Sequence, residues 1–239
     1  MKICQPEKFL YSKKLQRREV NKVGEGKYGQ VFVGCTDLSC QKQIAVKKSL
    51  DDMSAEFKIL QRAYKIAPNS VPRPYLFTKC ESSAKSGSII YYQYIKSRTL
   101  GKSKISKDIL FKLLITLYKF KKHGIRHNDL HLGNILIEDG THRPYITDFG
   151  LANSTRTNLE KNYGISPDSD SRYDYHFMLN SIFSKFKLPF ISRVIPREYL
   201  GTTSSKIQNH RLRYGIRYPG LPSLCKILDD RYFDSCRKN

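Results

Sequence analysis

From Glu19 to Lys48 apolar and polar residues alternate around glycines. A period of two is the signature of a half-buried strand, so this stretch predicts a hairpin, a turn near Asp37–Gln41 and a third strand over Gln43–Lys48. The period then changes. Phe57, Ile59, Leu60 and Ala63 recur at helical spacing, which predicts a short amphipathic helix over Ser54–Tyr64 with Ser54 or Asp52 as its cap. Pro68, Pro72 and Pro74 break that pattern, and Tyr75–Cys80 and Ser88–Ile95 predict two further strands around a Ser/Gly turn.

Past a hinge at Tyr94–Lys102 the chain turns helical. Ile109, Leu110, Leu113, Leu114, Leu117, Tyr118 and Phe120 make a broad apolar stripe over Asp108–His123. Gly124 follows in the position a helix terminator prefers. Ile135–Ile137 and Tyr145–Thr147 flank Glu138-Asp139-Gly140 and predict a small hairpin, and Tyr173–Phe186 predicts a second buried helix. The expected fold class is α+β, two-lobed: an N-terminal arm over 1–18, a β-rich lobe over 19–95, and a reduced helical lobe over 96–239 with an irregular, basic C-terminal region.

Composition narrows the class. The chain has 239 residues, 39% of them hydrophobic, which suits a folded domain and is too apolar for a disordered one. No apolar run reaches the ~18 residues a membrane span needs, and the charged N-terminus carries no visible secretory signal, so a cytoplasmic location is expected. The cysteines Cys4, Cys35, Cys40, Cys80, Cys225 and Cys236 form no Cys-x-x-Cys pair and read as reduced thiols, with no zinc-site spacing. The net charge of +22 attracts polyanions, whether nucleic acid, acidic protein segments or an anionic membrane face, and predicts acidic substrates and salt-sensitive binding. Arg213-Tyr214, Arg217-Tyr218 and Arg231-Tyr232-Phe233 interleave cations with aromatics. That is compatible with nucleic-acid stacking; basic surface over a packed aromatic core is the preferred reading.

Chemistry enters through four motifs in fixed order. Val23-Gly24-Glu25-Gly26-Lys27-Tyr28-Gly29-Gln30-Val31 can fold its backbone closely over phosphates. Strand-like residues follow it, which favours a strand–turn–strand flap over a dinucleotide-binding turn. Ile44-Ala45-Val46-Lys47 then puts Lys47 on a strand, with Glu56 of the next helix as the carboxylate to hold it and Lys48 on the opposite face. In His127-Asn128-Asp129-Leu130-His131-Leu132-Gly133-Asn134, Asp129 can accept a hydroxyl proton, and Asn134 can hold a metal ion and the loop itself. His127 reads as a packing residue, and His131 lies where it can donate to a γ-phosphate. Finally Asp148, in Ile146-Thr147-Asp148-Phe149-Gly150, is placed to bridge Mg²⁺ to phosphates.

In this order the motifs resemble the protein kinase superfamily over roughly residues 19–186. The resemblance implies ATP and Mg²⁺ as cofactors. Val23, Gly24, Gly26 and Gly29 would cover the nucleotide, Val31 and Ala45 would lie above the adenine, and Leu136 below it. Tyr92-Gln93-Tyr94-Ile95 would form the hinge, its backbone at Gln93 and Ile95 meeting the adenine edge, with Tyr92 as gatekeeper. Lys47, Glu56, Asp129, His131 and Asn134 would be catalytic, Asn134 and Asp148 metal ligands, and Asp174 the buried anchor of the catalytic loop. The implied activity is serine/threonine protein phosphorylation.

Departures from the family pattern are equally legible. Asn128 replaces the arginine that reads a phosphorylated activation loop in regulated kinases, which implies no such control. His131 replaces the usual lysine, no Ala-Pro-Glu follows Gly150, and the stretch from Gly150 to Asp174 is short. The profile is similar to RIO-like kinases and to compact kinases of large DNA viruses and bacterial effectors, which would place the protein in host cytoplasm or a virion. A small-molecule kinase of the aminoglycoside or choline type, and a non-catalytic pseudokinase binding module, are the alternatives.

Overall fold

The computed structural model describes residues 10, 21–26, 29–80, 87–154, 172–200 and 221–237. Most of the 1–18 arm, the Lys27-Tyr28 tip of the glycine motif, Tyr214, Tyr218 and most of the Gly150–Asp174 segment lie outside them. The chain divides into two compact units, Met1–Lys96 and Ser97–Asn239.

The first unit is an antiparallel sheet with one helix. Its strands are β1 (Asn21–Gly26), β2 (Gly29–Cys35), β3 (Gln43–Ser49), β4 (Pro74–Cys80) and β5 (Gly87–Gln93), ordered β1-β2-β3-β5-β4. Helix α1 spans Ser54–Ile66, between β3 and β4. Register decides which side chains share a face. Val46 lies opposite Phe32 and Tyr91, and this face carries the core of Leu10, Ile44, Val46, Cys80 and Ile89. On the other face Lys47 lies opposite Val31 and Ile90, and Ala45 opposite Val33 and Tyr92. Alternation therefore puts Val31, Ala45 and Lys47 together and turns Lys48 away. Helix α1 buries Ile59, Leu60 and Ala63, and its Phe57 stacks on Phe77 of β4 at 5.6 Å.

Two expectations are corrected in this unit. Met53 is the N-cap of α1 and gives it no side-chain cap, so neither Ser54 nor Asp52 occupies the cap position; Asp52 Oδ1 accepts the N–H of Ser54, the first residue of the helix, at 2.8 Å. Nor are all the thiols reduced. Cys35 and Cys40 are joined by a disulfide, and Cys80 is disulfide-bonded as well, whereas Cys225 and Cys236 are free. The physical reason is the β2–β3 turn. The Asp37 carbonyl and carboxylate both take the Cys40 N–H, which curls the chain back until the two Cα atoms are 4.9 Å apart.

The second unit begins with β6 (Ser97–Thr99), inside the segment expected as a hinge. Helix α2 (Lys107–Lys122) is capped by Ser106 Oγ, which accepts from the Ile109 N–H, and buries Ile109, Leu110, Leu113, Leu114, Leu117 and Phe120. It stops where Gly124 takes φ +65°, a left-handed conformation that glycine adopts without a Cβ penalty. Short strands follow: β7 (Ile125–Arg126), β8 (Ile135–Glu138), β9 (Pro144–Ile146) and β10 (Asn153–Ser154). They form the sheets β6-β8-β9 and β10-β7. Helix α3 (Tyr173–Phe186) is the buried helix the sequence predicts.

The C-terminal basic–aromatic run is packed where it is described. Tyr232 stacks on Phe190 at 4.3 Å, and Phe233, fully buried, meets Phe111 of α2 at 5.3 Å. Lys107 caps the Tyr232 ring at 4.7 Å. These rings are committed to the fold, in line with a basic surface over an aromatic core.

Candidate active site

Each unit presents one set of the sequence-predicted residues. In the first, β1 and β2 form the glycine hairpin, closing with Gly26 opposite Gly29. The two glycines described on either side of the tip differ sharply. Gly29 has φ +143°, and a Cβ there would sit 2.4 Å from the Lys48 carbonyl oxygen of β3. At Gly24 a Cβ would meet only Val31 Cβ, at 3.8 Å. Gly29→Ala is therefore expected to cost about 1–3 kcal/mol of stability. Gly24→Ala should leave stability within about 0.5 kcal/mol and weaken nucleotide binding alone, through lost room at the phosphates. Thermal melts with and without nucleotide separate the two.

Lys47 and Glu56 are brought together across β3 and α1. Lys47 Nζ lies 2.8 Å from Glu56 Oε1, with side chains only 8% and 9% exposed. Nine positions of chain separate them, so nothing but the strand-to-helix reversal makes the pair. Val23 is exposed, Val31 half-buried and Ala45 buried. At the expected hinge Ile95 is buried, and the Gln93 N–H donates to the Arg73 carbonyl at 2.8 Å. That N–H is committed within the protein, so it is not a group Gln93 can offer to an adenine edge.

In the second unit the loop after β7 is organised by one buried carboxylate. Asp174, at the start of α3, accepts from the His127 N–H at 2.7 Å and the Asn128 N–H at 2.8 Å. Burial pushes its carboxyl above the usual range, while His127, the two N–H donors and Arg126 pull it back. Asp174→Asn replaces one acceptor by an amide N–H facing a backbone N–H. It should cost about 1–3 kcal/mol, read as a lower melting temperature with a larger loss of turnover than of substrate affinity.

His127 is held on both ring nitrogens. Nε2 lies 2.9 Å from the Thr147 carbonyl, and Nδ1 accepts the Asp129 N–H at 3.4 Å. Its ring packs on Phe149 at 5.0 Å, so it is structural. Asn128 takes φ +63°, a conformation that asparagine tolerates better than most residues. Its side-chain amide donates to the Leu151 carbonyl at 3.0 Å, tying this loop to the residues after Asp148-Phe149-Gly150. Sequence reasoning noted only the arginine that Asn128 replaces; the tie to Leu151 has no signal in the sequence beyond asparagine's ease with positive φ.

Asp129 and Asn134 are coupled within the loop. Asn134 Nδ2 donates to the Asp129 carbonyl at 2.8 Å and lies 3.4 Å from its carboxylate Oδ2. The Asn134 carbonyl accepts from both the N–H and the hydroxyl of Thr147. Because Ile135 pairs with Ile146 in the β8–β9 hairpin, Asn134 and Asp148 leave the same end of that hairpin. Asp148 takes φ +62°, and its Oδ1 lies 3.4 Å from the Gly150 N–H. Leu136 is half-buried on β8.

The donor set fits Mg²⁺. With Nδ2 spent on Asp129, the Asn134 side chain has its oxygen left to offer, and Asp148 adds a carboxylate. Hard oxygen donors, few in number, suit an ion that binds through one or two protein carboxylates plus substrate phosphates. Among the described residues no group of three or more His, Cys, Asp or Glu could form an all-protein cage. No described helix is long and apolar enough to cross a membrane.

Comparison with known proteins agrees with the motif order. The chain is 27% identical over 157 residues to serine/threonine-protein kinase D of Synechocystis sp., a match covering 59% of this chain and 31% of that relative, so this chain spans under a third of the relative's length. Residues 17–169, well over half the chain, match the protein kinase domain family. The glycine hairpin, the Lys47–Glu56 pair and the loop anchored by Asp174 all fall within that span or beside it, and the chain belongs to the protein kinase family.

Proposed function

We propose that the protein is a Mg-ATP-dependent kinase that phosphorylates serine or threonine hydroxyls of protein substrates, acidic ones by preference, and needs no activation-loop phosphorylation. The observation that carries this reading is the loop Asp129–Asn134: a half-exposed aspartate whose main-chain carbonyl takes the Asn134 side-chain N–H, leaving the asparagine's side-chain oxygen to bind a cation. Asp129 orients the acceptor hydroxyl and takes its proton. Lys47, fixed by Glu56, neutralises the nucleotide's phosphates, and the glycine hairpin gives them backbone N–H groups. Bound Mg²⁺, held by Asn134 and Asp148, would supply the charge neutralisation that a transferring phosphoryl group requires. The serine/threonine preference draws on the similarity to a serine/threonine kinase, and the acidic preference on the +22 charge.

Independence from phosphorylation is supported by Asn128. A neutral amide bonded to the Leu151 carbonyl does the tying that a guanidinium–phosphate pair does elsewhere. Phosphatase treatment should leave the turnover unchanged, and a large loss would refute this part. The test of the whole reading is thermal stabilisation by ATP with and without Mg²⁺. At ligand a hundredfold above Kd, stabilisation of about 2.7 kcal/mol is expected only when both are present. A melting curve unmoved by Mg-ATP would overturn the proposal.

A further inference from the structure

Only residues 50–53 separate strand β3, which carries Lys47, from helix α1, which carries Glu56 in its first turn. Whatever holds that short connection sets where the two side chains meet. Ser88, fully buried on β5, holds it twice. Its Oγ accepts the Met53 N–H at 2.9 Å and donates to the Asp51 carbonyl at 2.6 Å. Met53 is the N-cap of α1 and supplies no side-chain cap of its own. Its carbonyl takes the Phe57 N–H at 2.9 Å, so the residue that Ser88 grips is itself bonded into the first helical turn.

The grip is built into the register of the sheet. Ser49 of β3, Ser88 of β5 and Lys79 of β4 lie side by side across three neighbouring strands. Ser49 Oγ accepts the Asp51 N–H at 3.0 Å, and Lys79 Nζ pairs with Asp52 at 3.1 Å. The next row on the same face is Lys47, Ile90 and Phe77, and Phe77 is the ring on which Phe57 of α1 stacks. One row thus holds the entry to the helix, and the next holds the helix and the lysine it serves. Lys79 and Asp52 are about half open to solvent, where an ion pair contributes little. Ser88 is the fully buried member, and loss of its hydroxyl would leave the buried Met53 N–H without its acceptor.

We infer that Ser88 is a positioning residue for phosphoryl transfer: by pinning Asp51 and Met53 to the sheet it sets the entry of α1, and with it the 2.8 Å meeting of Glu56 with Lys47. The inference rests on the kinase reading of Lys47. Being fully buried, Ser88 meets no substrate and acts through Glu56 alone. A Lys47 ammonium displaced from the phosphates is a loss of orientation, and the chemical step feels such a loss out of proportion to the distance moved. The effect of removing Ser88 therefore falls on kcat and not on KM for the acceptor.

The test joins amide hydrogen exchange to a mutant cycle. In the full chain without nucleotide, the Met53 amide should be protected from exchange although it precedes the helix. In S88A the Met53 and Phe57 amides should exchange about tenfold faster. A Met53 amide that exchanges in the unaltered chain as fast as an exposed one would overturn the grip itself. With Mg-ATP and a serine-containing acidic peptide, well below its own melting temperature, S88A should lower kcat about 10–10²-fold with KM for the peptide little changed. S88T keeps the hydroxyl and should recover most of that loss. E56Q/S88A should be no slower than E56Q, because Ser88 works through that carboxylate. An S88A protein that melts earlier but keeps the unaltered kcat, or losses that multiply in the double variant, would sink the inference while leaving the kinase reading intact. An unaltered chain that transfers no phosphate under any of these conditions would instead overturn the kinase reading, and the role of Ser88 with it; the exchange measurement needs no turnover.

Discussion

Asp129→Asn is expected to lower phosphoryl transfer by about 10²–10⁴-fold, the range that a positioned general base contributes, and to leave the protein folded. The fold should survive because the structural bonds of the loop do not run through this carboxylate. Asn134 Nδ2 donates chiefly to the Asp129 main-chain carbonyl, at 2.8 Å, and only weakly to Oδ2, at 3.4 Å. The loop itself hangs from Asp174 through the His127 and Asn128 N–H groups. Asparagine keeps the size of aspartate and loses the negative charge that, in the proposed mechanism, takes up the proton. The expected pattern is a collapsed kcat, a nucleotide affinity changed little, and a melting temperature close to that of the unaltered protein. Steady-state kinetics with a nucleotide-binding titration checks all three. Unimpaired turnover would remove Asp129 from the chemistry.

Lys47→Met is expected to have a different signature, because its pair with Glu56 makes it a structural residue as well as the proposed phosphate ligand. Its pair with Glu56 is almost entirely buried. Breaking a buried pair by removing one partner typically costs about 3–5 kcal/mol, since the remaining charge stays desolvated. Against a total stability of about 5–15 kcal/mol, that loss is large. The single variant should therefore melt early and transfer phosphate poorly, and neither observation alone would identify the cause. Lys47→Met with Glu56→Gln separates the two effects. The double variant removes both charges, should regain most of the stability, and should remain inactive. If activity returned along with stability, Lys47 would be a structural residue and its phosphate role would fall.

How much of this was readable in the sequence depends on the range over which the physics acts. Strands β2 and β3 and helix α2 were legible because burial imposes periods of two and 3.6 on stretches long enough to display them. The loop at His127–Asn134 was legible because its chemistry needs particular residue types at fixed spacing. Strands β6, β7 and β10 were not, since strands of two or three residues show no period. The Cys35–Cys40 bond was hidden for a related reason: a turn organised by Asp37 brings the cysteines together, and spacing alone does not announce it. Met53 displaced Ser54 and Asp52 at the α1 cap, a boundary error of one residue of the kind that propensity cannot settle.

Within the site the division is similar. Residue types pointed to Lys47, Asp129, Asn134 and Asp148 as candidates, but they could not say that the Gln93 N–H is already engaged by Arg73. Nor could they say that Asn128 bonds to Leu151, or that Gly133 makes room for the His131 ring. Each of these is a contact between groups whose pairing follows from backbone conformation. Asn128 and Asp148 both sit at positive φ, and it is the path taken by the backbone at such residues that decides which polar groups meet.

The most direct measurement is transfer of label from γ-³²P-ATP to a mixture of acidic and basic protein substrates, with the unaltered chain and Asp129→Asn run side by side, each with Mg²⁺ and with chelator. The expected result is labelled phosphoserine and phosphothreonine from the unaltered chain with Mg²⁺, favouring the acidic substrates, and none above background from the variant or after chelation. Label transferred equally by Asp129→Asn, or no transfer by the unaltered chain with Mg²⁺, would contradict the account.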